Sequence, residues 1–332
     1  MPSQIPVILV AGFLGSGKTT LLNHLLTNRS GTRVGVVVND FGSVNIDALL
    51  VAGQVDSMVS LSNGCMCCVA DASELDDMLG RLAEPSARID VIVVEASGLA
   101  EPQSVIRMVL ASSHERVRYG GLVQLVDGAE FESTLDTHPE LAKHLRYADL
   151  VVLNKEDRLD EEEREVVLAL VEQLAPGTPV ITTAHGRIDP GLLFDAKPED
   201  TTVARQLSFE ELLRHDHHLH SAYQGVTFRS PHPFDPALLM AFLDDRPAGL
   251  YRAKGFVHFA HPEHRQKFTV HAVGNYLSFE RGRWRAGETR ETQLVLIGTG
   301  LDEAAITERL TACLDPSGDA DPAAIFRVLR HC

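Results

Sequence analysis

Short, near-continuous apolar runs alternate with longer segments of helical period through about the first 185 residues. The runs are Val7–Val10, Val34–Val38, Val91–Val94, Leu122–Val126, Leu150–Leu153 and Val180–Thr182. A strand with one wet face alternates apolar and polar positions. A run apolar at successive positions marks a strand covered on both faces, as in parallel sheets. Between the runs, Thr19–Leu26, Ser73–Leu82 and Glu161–Leu174 carry helical patterns; in the last, Val167, Leu170, Val171 and Leu174 share one face. This alternation predicts βαβ units and a doubly wound, mostly parallel α/β domain over residues 1–185.

The pattern breaks over 186–224, which hold Pro190, Pro198 and the run His215-Asp-His-His-Leu-His220. This stretch is expected to be a linker ending in a short helix or loop. A second unit is expected over 225–315. Gly225–Arg229, Tyr251–Phe259, Lys267–Val273 and Gln293–Ile297 read as strands. Asp235-Pro236 opens one helix and Asp302 another, Asp being a good N-cap and Pro suited to the first helical position. A small α+β domain with an antiparallel sheet fits this order. Residues 316–332 form a tail with room for one more short helix.

Composition narrows the function classes. The 332 residues are 44% hydrophobic and 23% charged, which excludes a disordered or fibrous chain. Lys and Arg number 30 against 46 Asp and Glu, a formal charge of −16. Nucleic acids and anionic membranes recruit positive charge, so neither is expected as a partner. No run approaches the ~20 apolar residues of a membrane span. The N-terminus lacks a basic segment, an apolar segment and a cleavage site in succession, so the expected location is the cytoplasm, where thiols stay reduced.

Gly12-Phe-Leu-Gly-Ser-Gly-Lys18-Thr19 matches G-x-x-x-x-G-K-[ST] and lies between a predicted strand and a predicted helix. Its glycines let backbone N–H groups face a β-phosphate. Lys18 is a charge for the β- and γ-phosphates, and the Thr19 hydroxyl is a Mg²⁺ ligand. The expected nucleotide contacts here are Gly12, Leu14, Gly15, Ser16, Gly17, Lys18, Thr19 and Thr20. The run Val91–Val94 leads into Glu95-Ala-Ser-Gly98. Glu95, at a strand tip, is suited to hold Mg²⁺ or orient an attacking water, and the Gly98 N–H to meet a γ-phosphate. Asn154-Lys155-Glu156-Asp157 follows another buried run. Guanine offers N1–H and an exocyclic amine to the Asp157 carboxylate; adenine lacks that donor pair, so GTP is expected over ATP. Thr182-Thr-Ala184 is placed to close over the base.

Three of the five cysteines, Cys65, Cys67 and Cys68, fall within four residues. Three thiolates supply most of a tetrahedral Zn²⁺ site, and their softness also suits other transition metals. Redox chemistry and small buried side chains are the other readings of the cluster. His215, His217, His218 and His220 form an accessory set of imidazoles suited to Zn²⁺, Ni²⁺ or Co²⁺, or simply an exposed polar linker. His258, His261 and His264 recur every third residue, with a metal role as the lesser reading.

The phosphate loop, Asn39-Asp-Phe-Gly42 followed by Ile46-Asp47, the CxCC cluster, Glu-Ala-Ser-Gly and NKxD stand here in one order. Together they resemble the CobW-type metallochaperone P-loop GTPases, in the branch that includes the nickel-insertion GTPases of hydrogenase and urease maturation. Tyr251-Arg-Ala-Lys-Gly255 and Leu296-Ile-Gly298 resemble signature stretches of that family's C-terminal domain. The resemblance covers about residues 5–315. It implies a Mg²⁺-dependent GTP hydrolase that binds a transition metal, zinc foremost, through Cys65, Cys67 and Cys68, with the segment around Asn39 and Asp40 as a switch. It also implies an apo-metalloprotein client and leaves room for a homodimer. The family usually reads Asn-Glu-Phe-Gly-Glu at the switch. Asp40 keeps a carboxylate there on a shorter stem, and Ser43 loses one. A rival reading is a GTP-gated recruiting protein, for example ribosome-associated, that responds to zinc limitation without delivering metal.

Overall fold

The computed structural model describes residues 4–27, 31–38, 57–60, 72–98, 101–194, 223–285, 287–315 and 321–332. The chain divides into two compact units, residues 1–176 with 180–222, and residues 177–179 with 223–332.

The first unit is built on seven strands: β1 (Ile5–Gly12), β2 (Val34–Val38), β3 (Ser57–Ser60), β4 (Val91–Glu95), β5 (Val117–Asp127), β6 (Leu150–Asn154) and β7 (Val180–Thr183). Their order is β3-β2-β4-β1-β5-β6-β7, and every pairing is parallel. The apolar runs have the expected cause: all five residues of β2, β4 and β6 are buried. The helices are α1 (Lys18–Thr27), α2 (Ala72–Ala83), α3 (Pro102–Leu110), α4 (Phe131–Thr137), α5 (Leu141–Leu145), α6 (Glu161–Leu174) and α7 (Pro190–Leu193). Helix α1 buries Leu21, Leu22, Leu25 and Leu26. Helix α6 starts at a capping box. The Asp160 side chain accepts from Glu163 N–H at 2.9 Å, and the Glu163 side chain accepts from Asp160 N–H at 2.9 Å. Its Val167 and Val171 pack with Phe131, Leu145 and Leu153.

Parallel pairing has a geometric consequence. All seven strands end on one edge of the sheet, so the loops that follow Gly12, Val38, Ser60, Glu95, Asp127, Asn154 and Thr183 leave from the same side.

The second unit is a five-stranded antiparallel sheet in the order β11-β10-β9-β12-β8. The strands are β8 (Gln224–Ser230), β9 (Leu250–Val257), β10 (Lys267–Val273), β11 (Tyr276–Gly282) and β12 (Thr292–Gly298). Helices α8 (Pro236–Asp244), α9 (Glu303–Thr311) and α10 (Ile325–Leu329) contribute to a core that holds the buried Phe234, Phe259, Phe268 and Phe279. Asp235 caps α8, its Oδ1 accepting from Ala237 N–H at 2.6 Å and Leu238 N–H at 3.2 Å, as the Asp-Pro pair predicts. Strands β3 and β11 were not anticipated from the apolar runs. No helix among the described residues is long and apolar enough to cross a membrane.

Candidate functional site

The site is assembled on the carboxyl edge of the parallel sheet. The chain leaves β1 at Gly12, loops through Phe13–Gly17 and enters α1 at Lys18. The first turn of any helix leaves backbone N–H groups without intrahelical partners, and its dipole favours an anion there. Gly17 has φ +100°, and a Cβ at this position would collide with Asn154 Nδ2. Only glycine lets the loop lie this close to the neighbouring strand end. The Lys18 ammonium turns back over the loop and donates to the carbonyls of Gly12 at 3.0 Å and Phe13 at 3.2 Å. Ser16 is buried, and its Oγ has no hydrogen-bond partner among the described residues. Gly15 and Thr20 lie at the surface, and the Leu14 side chain is 59% exposed.

One strand away, Glu95 ends β4, in register with Val10 of β1 and Val38 of β2. It is only 4% exposed. Thr19 Oγ1 donates to Glu95 Oε1 at 3.3 Å, so two oxygen ligands expected from the sequence do converge. A buried carboxylate is stabilised by positive charge and hydrogen-bond donors around it. A hydroxyl beside it, at the first turn of the phosphate-loop helix, is the donor set a hard divalent ion takes. Mg²⁺ therefore fits the residues present. Gly98 is buried against the loop; a Cβ there would meet Leu14 N at 2.9 Å.

On the other side of β1, Asn154 ends β6. Its Nδ2 donates to Ser16 O at 2.9 Å, and its Oδ1 accepts from Gly186 N–H at 2.8 Å. One buried amide thus ties the phosphate loop to the turn after β7. That turn needs a glycine: Gly186 has φ +63°, and a Cβ there would lie 2.9 Å from Leu21 Cα. Thr183 supports the turn by donating to Arg187 O at 2.7 Å. Lys155 is left-handed, φ 63°, and its Nζ reaches Asp127 Oδ2 at the end of β5, 2.6 Å away. Asp157 lies in a short 3₁₀ turn, Glu156–Arg158, with its carboxylate exposed.

The structure therefore gathers Gly12, Leu14, Gly15, Ser16, Gly17, Lys18, Thr19, Thr20, Glu95, Gly98, Asn154, Lys155 and Asp157 on one sheet edge. Asp40, Cys65, Cys67, Cys68, His215, His217, His218 and His220 lie outside the described residues. Among the described residues, no three or more His, Cys, Asp or Glu side chains are grouped to hold a metal. His261 has a local structural role: its Nδ1 accepts from the N–H groups of Glu263 and His264, each at 3.0 Å. Sequence reasoning missed Asp127 and Gly186. The signal for Asp127 was its place at the end of an apolar run, the same signal that picked out Glu95.

Residues 6–182 match the family described as "CobW/HypB/UreG, nucleotide-binding domain", and residues 223–314 match "Cobalamin synthesis protein cobW C-terminal domain". The chain is 30% identical to "Zinc chaperone CobW" of Sinorhizobium sp over 93% of this chain and 97% of that protein. It is 35% identical to "Zinc chaperone YjiA" of Escherichia coli (strain K12), over 58% of this chain and 62% of that one. Among solved structures, Zn(II)-bound YjiA GTPase from E. coli aligns over 94% of this chain and all of that chain, at 24% identity and a TM-score of 0.46.

Proposed function

The chain belongs to the CobW/HypB/UreG family and is a P-loop GTPase, and from that premise we propose that it carries zinc, or a related transition metal such as Co²⁺ or Ni²⁺, to a client metalloprotein under the control of its bound nucleotide. The observation that carries this reading is the shared edge. The phosphate loop, Glu95 and the Asn154–Asp157 turn all stand at strand carboxyl ends. Two segments with candidate metal ligands start from that same edge. β2 ends at Val38, two residues before Asp40, and β3 ends at Ser60, five residues before Cys65.

In this reading the loop N–H groups and Lys18 hold the β- and γ-phosphates, and Lys18 exchanges its two carbonyl partners for phosphate oxygens. Thr19 and Glu95 hold Mg²⁺, which when bound neutralises charge on the phosphate oxygens. Glu95 also orients the attacking water, and Gly98 N–H meets the γ-phosphate. Asn154 keeps the phosphate loop and the Gly186 turn in register, Lys155 is fixed by Asp127, and Asp157 takes the two guanine donors. No residue in this set supplies a finger-like Arg, so intrinsic turnover is slow and rises with metal or client. Cys65, Cys67 and Cys68 bind the cargo metal, with Asp40 on the adjoining switch segment. The His215–His220 cluster is an accessory loading site.

The test is zinc release. Protein loaded with Zn²⁺ and Mg²⁺–GTP is mixed with a chromogenic zinc chelator, and metal transfer is followed beside phosphate release. Transfer should track hydrolysis and stall with a non-hydrolysable GTP analogue. Equal transfer in both cases would overturn delivery and favour a protein that uses GTP to recruit a partner.

A further inference from the structure

The turn that carries Asp157 is held from outside itself. Asp127 and Asn154 end β5 and β6 side by side, paired in register. The chain then turns sharply at Lys155, which is left-handed at φ 63°, ψ 32°. Residues other than glycine rarely take that conformation, and one that does is held there by its surroundings. Lys155 in turn sets the residues after it. Its carbonyl accepts from Arg158 N–H at 3.0 Å, closing the 3₁₀ turn in which Asp157 lies. A change in the Lys155 backbone therefore moves the Asp157 carboxylate.

What holds Lys155 is the neighbouring strand end. Its Nζ lies 2.6 Å from Asp127 Oδ2, with the two side chains 29% and 13% exposed. β5 is paired on both sides, to β1 and β6, so the carboxylate at its tip starts from a fixed place. The turn after β5, Gly128–Glu130, lies against the turn after β6; a Cβ on Gly128 would stand 3.1 Å from Asn154 O. The two turns share a second pair, Arg158 Nη2 to Glu130 Oε1 at 3.2 Å, where the side chains are 50% and 54% exposed. Water and salt screen a pair that open, and the entropy of holding two long side chains offsets most of its attraction. The sheltered pair is screened far less. Of the two, Asp127–Lys155 is the one able to fix the turn.

We propose that Asp127 is a positioning residue for base recognition: through its ion pair with Lys155 it holds the Asn154–Asp157 turn in the geometry that offers Asp157 to guanine. Asp127 itself touches no base. Its effect is preorganisation. A turn that is competent only part of the time lowers nucleotide affinity in proportion to that fraction, and does so only for a base that uses Asp157. Adenine has no donor pair for that carboxylate, so ATP binds through its phosphates and escapes the penalty. This role rests on Asp157 reading guanine.

The test compares GTP and ATP on the full-length protein, by titration of ribose-labelled fluorescent analogues with Mg²⁺ and by hydrolysis kinetics. Asp127→Asn keeps the shape and removes the charge. It should weaken GTP about tenfold and raise KM for GTP by a similar factor, with kcat and ATP affinity within about twofold. Asp127→Glu, which restores the carboxylate, should recover most of the GTP affinity. Glu130→Gln, which breaks only the exposed pair, should leave both nucleotides within about twofold. Lys155→Gln opens the sheltered pair from its other end and should give a loss like that of Asp127→Asn, and the double variant should bind GTP no more weakly than either single one. Should Asp127→Asn lose its native circular dichroism, Lys155→Gln carries the same comparison of GTP with ATP. Equal loss of GTP and ATP in a folded variant marks a merely structural pair and overturns the proposal. So would unchanged GTP affinity in Asp127→Asn, additive losses in the double variant, or an equal loss in Glu130→Gln. Preference for GTP over ATP lost in Asp157→Asn but kept in Asp127→Asn overturns the positioning alone. Preference kept in Asp157→Asn overturns the reading of Asp157, and the positioning falls with it.

Discussion

The two sheets of this chain face the same problem, the burial of strand surface, and solve it in opposite ways. The seven-stranded sheet is parallel, its strands β2, β4 and β6 are buried at every position, and its crossovers return every strand to the same starting side. Chemistry-bearing residues then collect on one edge because they have no other place to be. The five-stranded sheet is antiparallel, and its strand ends alternate between two edges. Its core is aromatic, with Phe234, Phe259, Phe268 and Phe279 buried together. One sheet therefore gathers loops on a single edge, and the other is organised around an aromatic core.

That division predicts separable losses. The largest effect expected is in the second sheet. Phe268 is fully buried against Phe259 at a ring distance of 5.1 Å, and Phe268→Ala should cost about 3–5 kcal/mol of stability. The chain's single tryptophan, Trp284, lies in this unit, so its fluorescence reports the loss during denaturant unfolding. GTP binding by the folded fraction should be retained; its abolition would break the comparison. Next comes Lys18→Ala on the parallel edge. GTP hydrolysis should fall by about 10²–10³, the scale seen when a preorganised charge-stabilising group is removed. The Trp284 unfolding curve should not move. Third, Asp157→Asn should weaken GTP about tenfold or more and improve xanthosine triphosphate relative to it, because the base donors lose their carboxylate acceptor. Its exposed position makes a stability change within ~0.5 kcal/mol the expectation. The smallest effect concerns acid. Lys267 Nζ bonds Glu288 Oε1 at 2.5 Å and lies 5.1 Å from the Trp284 ring, and this contact holds the Glu288 carboxyl below its ordinary range. A depressed folded value gives stability that is present above the unfolded pKa and is lost as pH falls through the folded one. The gap in midpoint between the unaltered protein and Glu288→Gln should thus narrow on acidification; a gap that widens would contradict it.

The same contrast explains what could be read from the sequence. Strands buried on both faces announce themselves, so β2, β4 and β6 and the motif residues at the tips of β1, β4 and β6 were legible without a structure. Helix α6 was legible because Val167, Leu170, Val171 and Leu174 share one face; its Asp160 cap is visible in the structure. β3 was not, since Ser-Met-Val-Ser offers two apolar residues and its pairing to β2 is a tertiary fact. β11 was overlooked although Gly274-Asn275 between Val273 and Tyr276 is a hairpin signal; only Leu277 and Phe279 mark its apolar face. At the site, residue types were legible and contacts were not. No spacing rule connects Asn154 to Ser16 and Gly186, or Lys155 to Asp127, because those bonds join segments far apart in the chain.

The central claim is that nucleotide and metal sites sense each other. It is tested most directly by competition titration of Zn²⁺ against a chelator of known affinity, on the protein held in Mg²⁺–GTP and in GDP, with Cys67→Ala alongside. Zinc should bind at least tenfold tighter in the GTP state, and Cys67→Ala should lose that tighter binding. Equal zinc affinity in the two nucleotide states, with the cysteine variant unaffected, would contradict the account.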